Sequence, residues 1–123
     1  MNYIELEQKL GKQNEADWRQ ASGGGWIQKN AKVQNEANIQ DNAIVMGNAQ
    51  VFDDARISDD ARISDDALVY GKAEVFGKAK VFGDAAVSGN TEVFGKAKVY
   101  GNVRVFGKAK VYDNARVSGG LWQ

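Results

Sequence analysis

The sequence predicts an all-β protein, a single-stranded parallel β-helix, and three features of residues 31–120 carry this prediction. A six-residue unit repeats there fifteen times without an insertion. Its third position is always Val or Ile, and its first position is Ala except at Thr91 and Val103. Its fifth position is always Gly, Asp or Asn. Strand and corner recurring at one fixed period indicate a solenoid.

Strand and corner geometry explains the residue types at each position of the unit. Its Ala and its Val or Ile are two residues apart, so on an extended strand both side chains point to the same side. The fifth position needs a sharp corner, which Gly, Asn and Asp tolerate best. A helix is excluded because the apolar spacing does not follow a period of 3.6. Each coil of the solenoid then pairs with its neighbours at about 4.8 Å.

This pattern resembles the hexapeptide-repeat superfamily, whose coils take three hexads each and wind left-handed into a triangular prism. The resemblance implies about five coils, with a core about 24 Å long. The period of six alone leaves the handedness and the number of hexads per coil open. Internal identity does too, since Glu74–Asp84 matches Glu92–Asn102 at an offset of 18, whereas Val93–Val105 matches Val105–Val117 at an offset of 12.

Composition favours one soluble domain with no membrane association. The chain of 123 residues has no Cys, so it has no disulfide framework that would indicate a redox compartment. No apolar run approaches the roughly 18 residues of a membrane span. The first ten residues carry three charges and lack the apolar stretch of a signal peptide. We therefore expect a cytoplasmic protein.

The sequence divides into an N-terminal cap at 1–24, the hexapeptide-repeat β-helix at 25–120 and a C-terminal cap at 121–123. The first segment combines a few apolar residues with helix-forming ones, which predicts a short amphipathic helix near 3–10 and allows a second around 14–20. We expect this segment to cover the open end of the solenoid. A partner-binding or targeting arm is the alternative.

Three glycines precede the first repeat, in the segment Ser22–Ile27. A phosphate loop is disfavoured because no Gly-Lys-Ser/Thr and no helix follow. We predict a flexible lead-in that lets Trp26 and Ile27 join the first strand, with 25–30 as a degenerate first hexad. This Gly-Gly-Trp-Ile segment before the repeats resembles bacterial and phage β-solenoid proteins of the YdcK-like kind, over about residues 22–120. At the other end, Leu121 and Trp122 are expected to fold over the last coil.

The sequence predicts that the protein is not an enzyme. The resemblance implies that an acyltransferase would use a histidine base and that a carbonic anhydrase of this architecture would hold zinc with three histidines, but the chain has no His and no Cys. The long inserted loop of such transferases is missing too. We therefore predict no catalytic residue, no cofactor and no metal site. Two alternatives stay open: an acyltransferase-like enzyme with an unconventional, His-free site, and a phage-encoded inhibitor of a bacterial protein.

Three acidic pairs raise the possibility of calcium, which takes six to eight oxygen ligands. They are Asp53-Asp54, Asp59-Asp60 and Asp65-Asp66. Because they fall at successive corners, three hexads per coil would point them in three directions. We interpret them as solvated corner residues.

Aromatic rings occupy the fourth hexad position in eight copies, and strand alternation predicts that they point outward. They are Phe52, Tyr70, Phe76, Phe82, Phe94, Tyr100, Phe106 and Tyr112. Three hexads per coil would stack Phe76, Phe94 and Tyr112 in one ladder, Phe82 with Tyr100 in another, and Phe52 with Tyr70 on the third side. Such ladders stabilise neighbouring coils, and exposed aromatic patches also mark interfaces. We predict a non-catalytic structural or protein-interaction solenoid that associates with itself or with another protein through these columns or through its ends.

Charge is distributed unevenly along the rod although the net charge is zero. Residues through Asp66 contain 7 Lys/Arg against 12 Asp/Glu, whereas those from Ala67 contain 9 against 4. Three hexads per coil would also align a basic column, made of Arg62, Lys80, Lys98 and Arg116. Cations beside aromatics suit a polyanion, but net neutrality and intervening acidic residues disfavour nucleic acid.

Overall fold

The computed structural model describes residues 1–123, which form one α-helix and seventeen short strands. The helix α1 spans Tyr3–Leu10. The strands are β1 Trp18–Gln20, β2 Trp26–Gln28, β3 Lys32–Val33, β4 Ile44–Val45, β5 Gln50–Val51, β6 Arg56–Ile57, β7 Arg62–Ile63, β8 Leu68–Val69, β9 Glu74–Val75, β10 Lys80–Val81, β11 Ala86–Val87, β12 Glu92–Val93, β13 Lys98–Val99, β14 Arg104–Val105, β15 Lys110–Val111, β16 Arg116–Val117 and β17 Leu121–Trp122.

The strands assemble into three sheets, because from β7 onward each strand pairs in parallel with the strand three places before it. The first sheet has the order β1-β2-β4-β7-β10-β13-β16, the second β17-β14-β11-β8-β5-β3 and the third β15-β12-β9-β6. Val81 pairs with Ile63 below and with Val99 above, an offset of 18 residues in both directions. One coil is therefore three hexads, and the chain forms a parallel β-solenoid of about five turns.

The core follows the predicted inward positions. Twenty-eight buried residues form one cluster, almost all of them the Ala of the first and the Val or Ile of the third position. Ala79 and Val81, for example, are fully buried. At the corners Gly77 adopts a φ of 67°, and Asp59 one coil below adopts 56°, in the left-handed region that the fifth position was predicted to need. Local turn chemistry and strand alternation thus define the coil.

The N-terminal helix lies on the outer side of the first sheet. Its first turn is closed by a capping box, in which the Asn2 side chain accepts from the Glu5 amide and the Glu5 side chain accepts from the Asn2 amide. Leu6 is completely buried and packs with Trp18, Trp26 and Ile44. The helix near 3–10 is where the sequence placed it, and it packs on an outer face of the first coils.

The second helix that the sequence allowed around 14–20 is absent. Glu15–Asp17 make a single 3₁₀ turn, and Trp18–Gln20 form β1, which pairs antiparallel with β2. An edge strand of the first coil offers unpaired backbone groups, and β1 satisfies them. Tertiary pairing therefore overrides the helical preference of these residues.

The glycine segment fits a close backbone approach rather than a flexible lead-in. Gly23 donates its amide to the Glu36 carbonyl and Gly25 donates to the Ile39 carbonyl, at 3.2 and 2.9 Å. A Cβ on Gly23 would lie 2.5 Å from the Ala37 carbonyl oxygen, which no side chain tolerates. Only glycine allows the chain to cover the third side of the first coil this closely.

The last residues continue the solenoid and do not fold over it. Strand β17 pairs in parallel with β14, with Leu121 opposite Arg104 and Trp122 opposite Val105. Leu121 remains 69% exposed and Trp122 46% exposed. The coil loses one residue at this point, since the offset from Arg104 is 17 and not 18, yet backbone pairing is retained.

Candidate interaction surfaces

Aromatic ladders run along the outside of all three sheets. On the third sheet Phe94 stacks on Phe76 at 5.0 Å between ring centroids and beneath Tyr112 at 5.5 Å. On the first sheet Phe82 stacks on Tyr100 at 5.1 Å. The planes of these pairs differ by 13° at most. Because neighbouring rings cover one another's faces, the ladders present mainly ring edges to solvent.

The second sheet carries an interrupted ladder. Phe52 stacks on Tyr70 at 4.9 Å with planes 1° apart. One coil further the outward residue is Ser88, and Phe106 follows in the coil after it. Phe106 consequently has no ring partner. Tyr70, Ser88 and Phe106 line a shallow groove together with Ala86, Arg104 and Leu121.

The four residues of the basic column lie on the first sheet, one in each of four successive coils. Lys80 pairs with Arg62 below and with Lys98 above, and Lys98 pairs with Arg116. Lys78 and Lys96 flank the column at the preceding corner. None of these six cations has a carboxylate within salt-bridge distance, because the three salt bridges of the chain join Lys9 to Asp60, Arg19 to Glu36 and Lys29 to Asp17.

The acidic pairs lie at three different corners, and the first aspartate of each pair holds two coils together, a role that sequence reasoning missed. The Asp59 carboxylate accepts a hydrogen bond of 2.9 Å from the Gly77 amide in the next coil. Asp53 and Asp65 make the same bond with the amides one coil above them, at 3.2 and 3.0 Å. The sequence did contain a signal for this role. If a coil has 18 residues, an Asp at the fifth position places its carboxylate beneath the corner amide of the next coil.

Asp60 anchors the N-terminal helix to the second coil. Its carboxylate accepts from the Lys9 ammonium at 3.0 Å. The hydrogen bond from Lys9, and more weakly the charges of Lys9 and Lys78, hold the pKa of Asp60 below its usual value. The acidic residues do not converge: no three His, Cys, Asp or Glu side chains are placed so that they could hold a metal ion.

These features define the class of the protein as a parallel β-solenoid whose outer faces carry aromatic ladders and a basic column. Residues 61–75 and 109–122 match the sequence profile of the YdcK beta solenoid repeat. The resemblance to YdcK-like β-solenoid proteins is therefore confirmed. Comparisons with curated proteins and with solved structures gave no significant match. No helix of the chain combines the length and the apolarity that a membrane span requires.

Proposed function

We propose that the protein is a non-catalytic protein-interaction solenoid, which associates with itself or with another protein through its outward aromatic columns. The observation that carries the proposal is the way the chain uses its own outer face. Helix α1 buries Leu6 against outward residues of the first sheet, Trp26 and Ile44, with Met46 at the margin. The outside of the solenoid is thus able to dock an apolar surface.

The same face continues uncovered beyond the helix. Phe82 and Tyr100 lie on the first sheet in the coils that follow Met46 and Ser64, and both rings are only half-buried. On the third sheet Tyr112 is 50% exposed. Aromatic edges of this kind are enriched at protein interfaces, where the rings contribute large contact areas.

Light scattering after size exclusion, at low and at high salt, tests the proposal. We expect an oligomer at both salts, because contacts between aromatic surfaces are insensitive to screening. Replacing Phe82 and Tyr100 by Ser, or Phe76, Phe94 and Tyr112 by Ser, should shift the protein toward monomer. A single Phe106→Ser variant, which removes an unstacked ring, serves as the control for the loss of one aromatic residue.

Circular dichroism must show that each variant keeps its fold. If both column variants remain folded and associate like the original protein, the aromatic columns are not the interface. Growth into longer species at low salt only would assign association to the oppositely charged ends instead, since screening over about 8 to 10 Å weakens such contacts.

We further propose that the solenoid belongs to the hexapeptide-repeat superfamily and winds left-handed as a triangular prism. The 18-residue coil and the three sheets support this. An experimental structure would test the handedness directly, and a right-handed coil would refute the assignment.

The proposal that the protein is not an enzyme rests on the lack of His and Cys in the sequence. Heat on titration with acetyl-CoA at millimolar concentration would favour the acyltransferase alternative. Inhibition of a bacterial protein, with a phage as the source, has no residue-level support. A cytoplasmic location is likewise a proposal, which fractionation of the source cells would test.

A further inference from the structure

The strongest unassigned feature is a notch across the second sheet, formed where two outward residues of one coil are small. Ala86 and Ser88 occupy the second and fourth hexad positions of that coil. Ala86 is the only Ala among the fifteen second positions of the repeats. Ser88 is the only small fourth-position residue with an aromatic ring in both the coil below and the coil above.

Along the solenoid axis, the notch is one coil high. The Tyr70 amide donates to the Val87 carbonyl, and the Ser88 amide donates to the Val105 carbonyl, both at 2.9 Å. Ser88 therefore lies midway between the levels of Tyr70 and Phe106, which are about 9.6 Å apart at the usual strand spacing. The ladder on the third sheet fills the same interval with Phe94, whose ring centroid lies 5.0 Å from that of Phe76 and 5.5 Å from that of Tyr112. The missing element is thus one planar ring.

The rim of the notch carries one cation without a salt-bridge partner. Arg104 pairs directly with Ala86 in the adjacent strand, and its side chain lines the notch. Arg104 makes no salt bridge. Lys72 and Lys108 occupy the corners that follow Tyr70 and Phe106, whereas Asp65, Asp66 and Asp84 lie at the opposite corner, before the strands that carry Tyr70 and Ser88. Because Arg104 itself lines the notch without a carboxylate partner, an occupant with a negative charge is favoured.

We propose that the notch binds a single planar aromatic ring that carries a negative charge. The ring inserts between Tyr70 and Phe106 and completes the ladder, and the anionic group pairs with Arg104. Stacking on two rings supplies the apolar contact, and the guanidinium selects the anion. Ala86 and Ser88 form the floor, where any larger side chain would occupy the place of the ligand.

Titration calorimetry with indole-3-acetate, and with tryptamine as its cationic counterpart, tests the site. We expect indole-3-acetate to bind with a dissociation constant on the order of 1 mM, as suits a ligand of this size. Tryptamine should bind at least fivefold more weakly. Equal binding of the two probes, or no binding of either, would overturn the proposal.

Three variants locate the binding. Ser88→Phe places the protein's own ring in the notch and should weaken indole-3-acetate binding at least tenfold. Ser64→Phe adds a ring at the same hexad position where only one neighbouring coil carries one, so binding should not change. Arg104→Gln should abolish the preference for the anion. Unchanged binding in the Ser88→Phe variant would refute the site, whatever the aromatic columns do in self-association.

The ring has two possible sources, a free small molecule or the carboxyl terminus of a protein that ends in an aromatic residue. The peptide Gly-Gly-Gly-Trp with a free carboxylate distinguishes them. Binding of the peptide at least tenfold tighter than that of indole-3-acetate assigns the site to a protein terminus, whereas equal or weaker binding assigns it to a small molecule.

Discussion

The most specific stability prediction concerns Thr91, which occupies the first hexad position where thirteen other copies have Ala. Its side chain is completely buried, and its hydroxyl has no hydrogen-bond partner. A buried unsatisfied hydroxyl is destabilising by about 1 to 3 kcal/mol. Val at this position keeps the shape and removes the penalty. Val103, at the first position of another hexad, is fully buried and shows that the interior accepts a β-branched residue there.

We therefore expect Thr91→Val to raise the free energy of unfolding by about 1 to 2 kcal/mol, and the melting temperature by about 4 to 8 °C. Thr91→Ala should gain less, because it also removes a buried methyl group worth about 0.8 kcal/mol. Thr91→Ser should be less stable than the original protein, since it keeps the hydroxyl and loses the methyl.

Urea unfolding followed by circular dichroism measures these differences. The reciprocal change Val103→Thr is the matched control, because it introduces an unpartnered hydroxyl at the same kind of position and should be destabilising by about 1 to 3 kcal/mol. A Thr91→Val variant less stable than the original, or a Val103→Thr variant as stable as it, would refute the reasoning.

Three further predictions concern a corner, a ladder and the helix anchor. Gly77→Ala should be destabilising by about 1 to 2 kcal/mol, because the φ of Gly77 is 67°. Gly77→Asp should be less destabilising, because the new carboxylate can accept a hydrogen bond from the corner amide of the next coil. Equal losses of stability on urea unfolding would contradict this. Phe94→Leu should lower stability by about 1 to 3 kcal/mol, since two stacked pairs are lost, whereas Phe106→Leu, without a ring partner, should lower it less. The lowered pKa of Asp60 means that its bond to Lys9 stabilises the fold above about pH 4 and is lost as pH falls through the folded-state pKa. Lys9→Met should flatten the dependence of unfolding free energy on pH between about 5 and 2, and an unchanged slope would count against the anchor.

The fold was predictable because its rules are local. Side-chain alternation places Ala79 and Val81 inside and Lys80 outside, and this does not depend on which coils pair with one another. The corner residues likewise need only their own backbone preferences. The ladders followed once a coil of 18 residues was assumed. The notch could also have been read from that register, since it depends only on which residues stand 18 before and after Ser88.

The ends were not predictable in the same way. Within 14–20, Trp18–Gln20 formed a strand because β2 offered an unpaired edge, which no local pattern in the segment indicates. Leu121 continued the second sheet because backbone pairing with Arg104 satisfied hydrogen bonds that a fold over the end would have left open.

By itself, the sequence determined the solenoid, its inward residues and its corners, because side-chain alternation and turn preferences act within a single hexad. Only the tertiary structure decided which hexads lie above one another, since identities at offsets of 12 and 18 compete in the sequence and backbone pairing selects one of them. That choice sets the neighbours of every outward side chain. It stacks Phe94 between two rings and leaves Phe106 without one, so the surface chemistry of this protein is a property of its register.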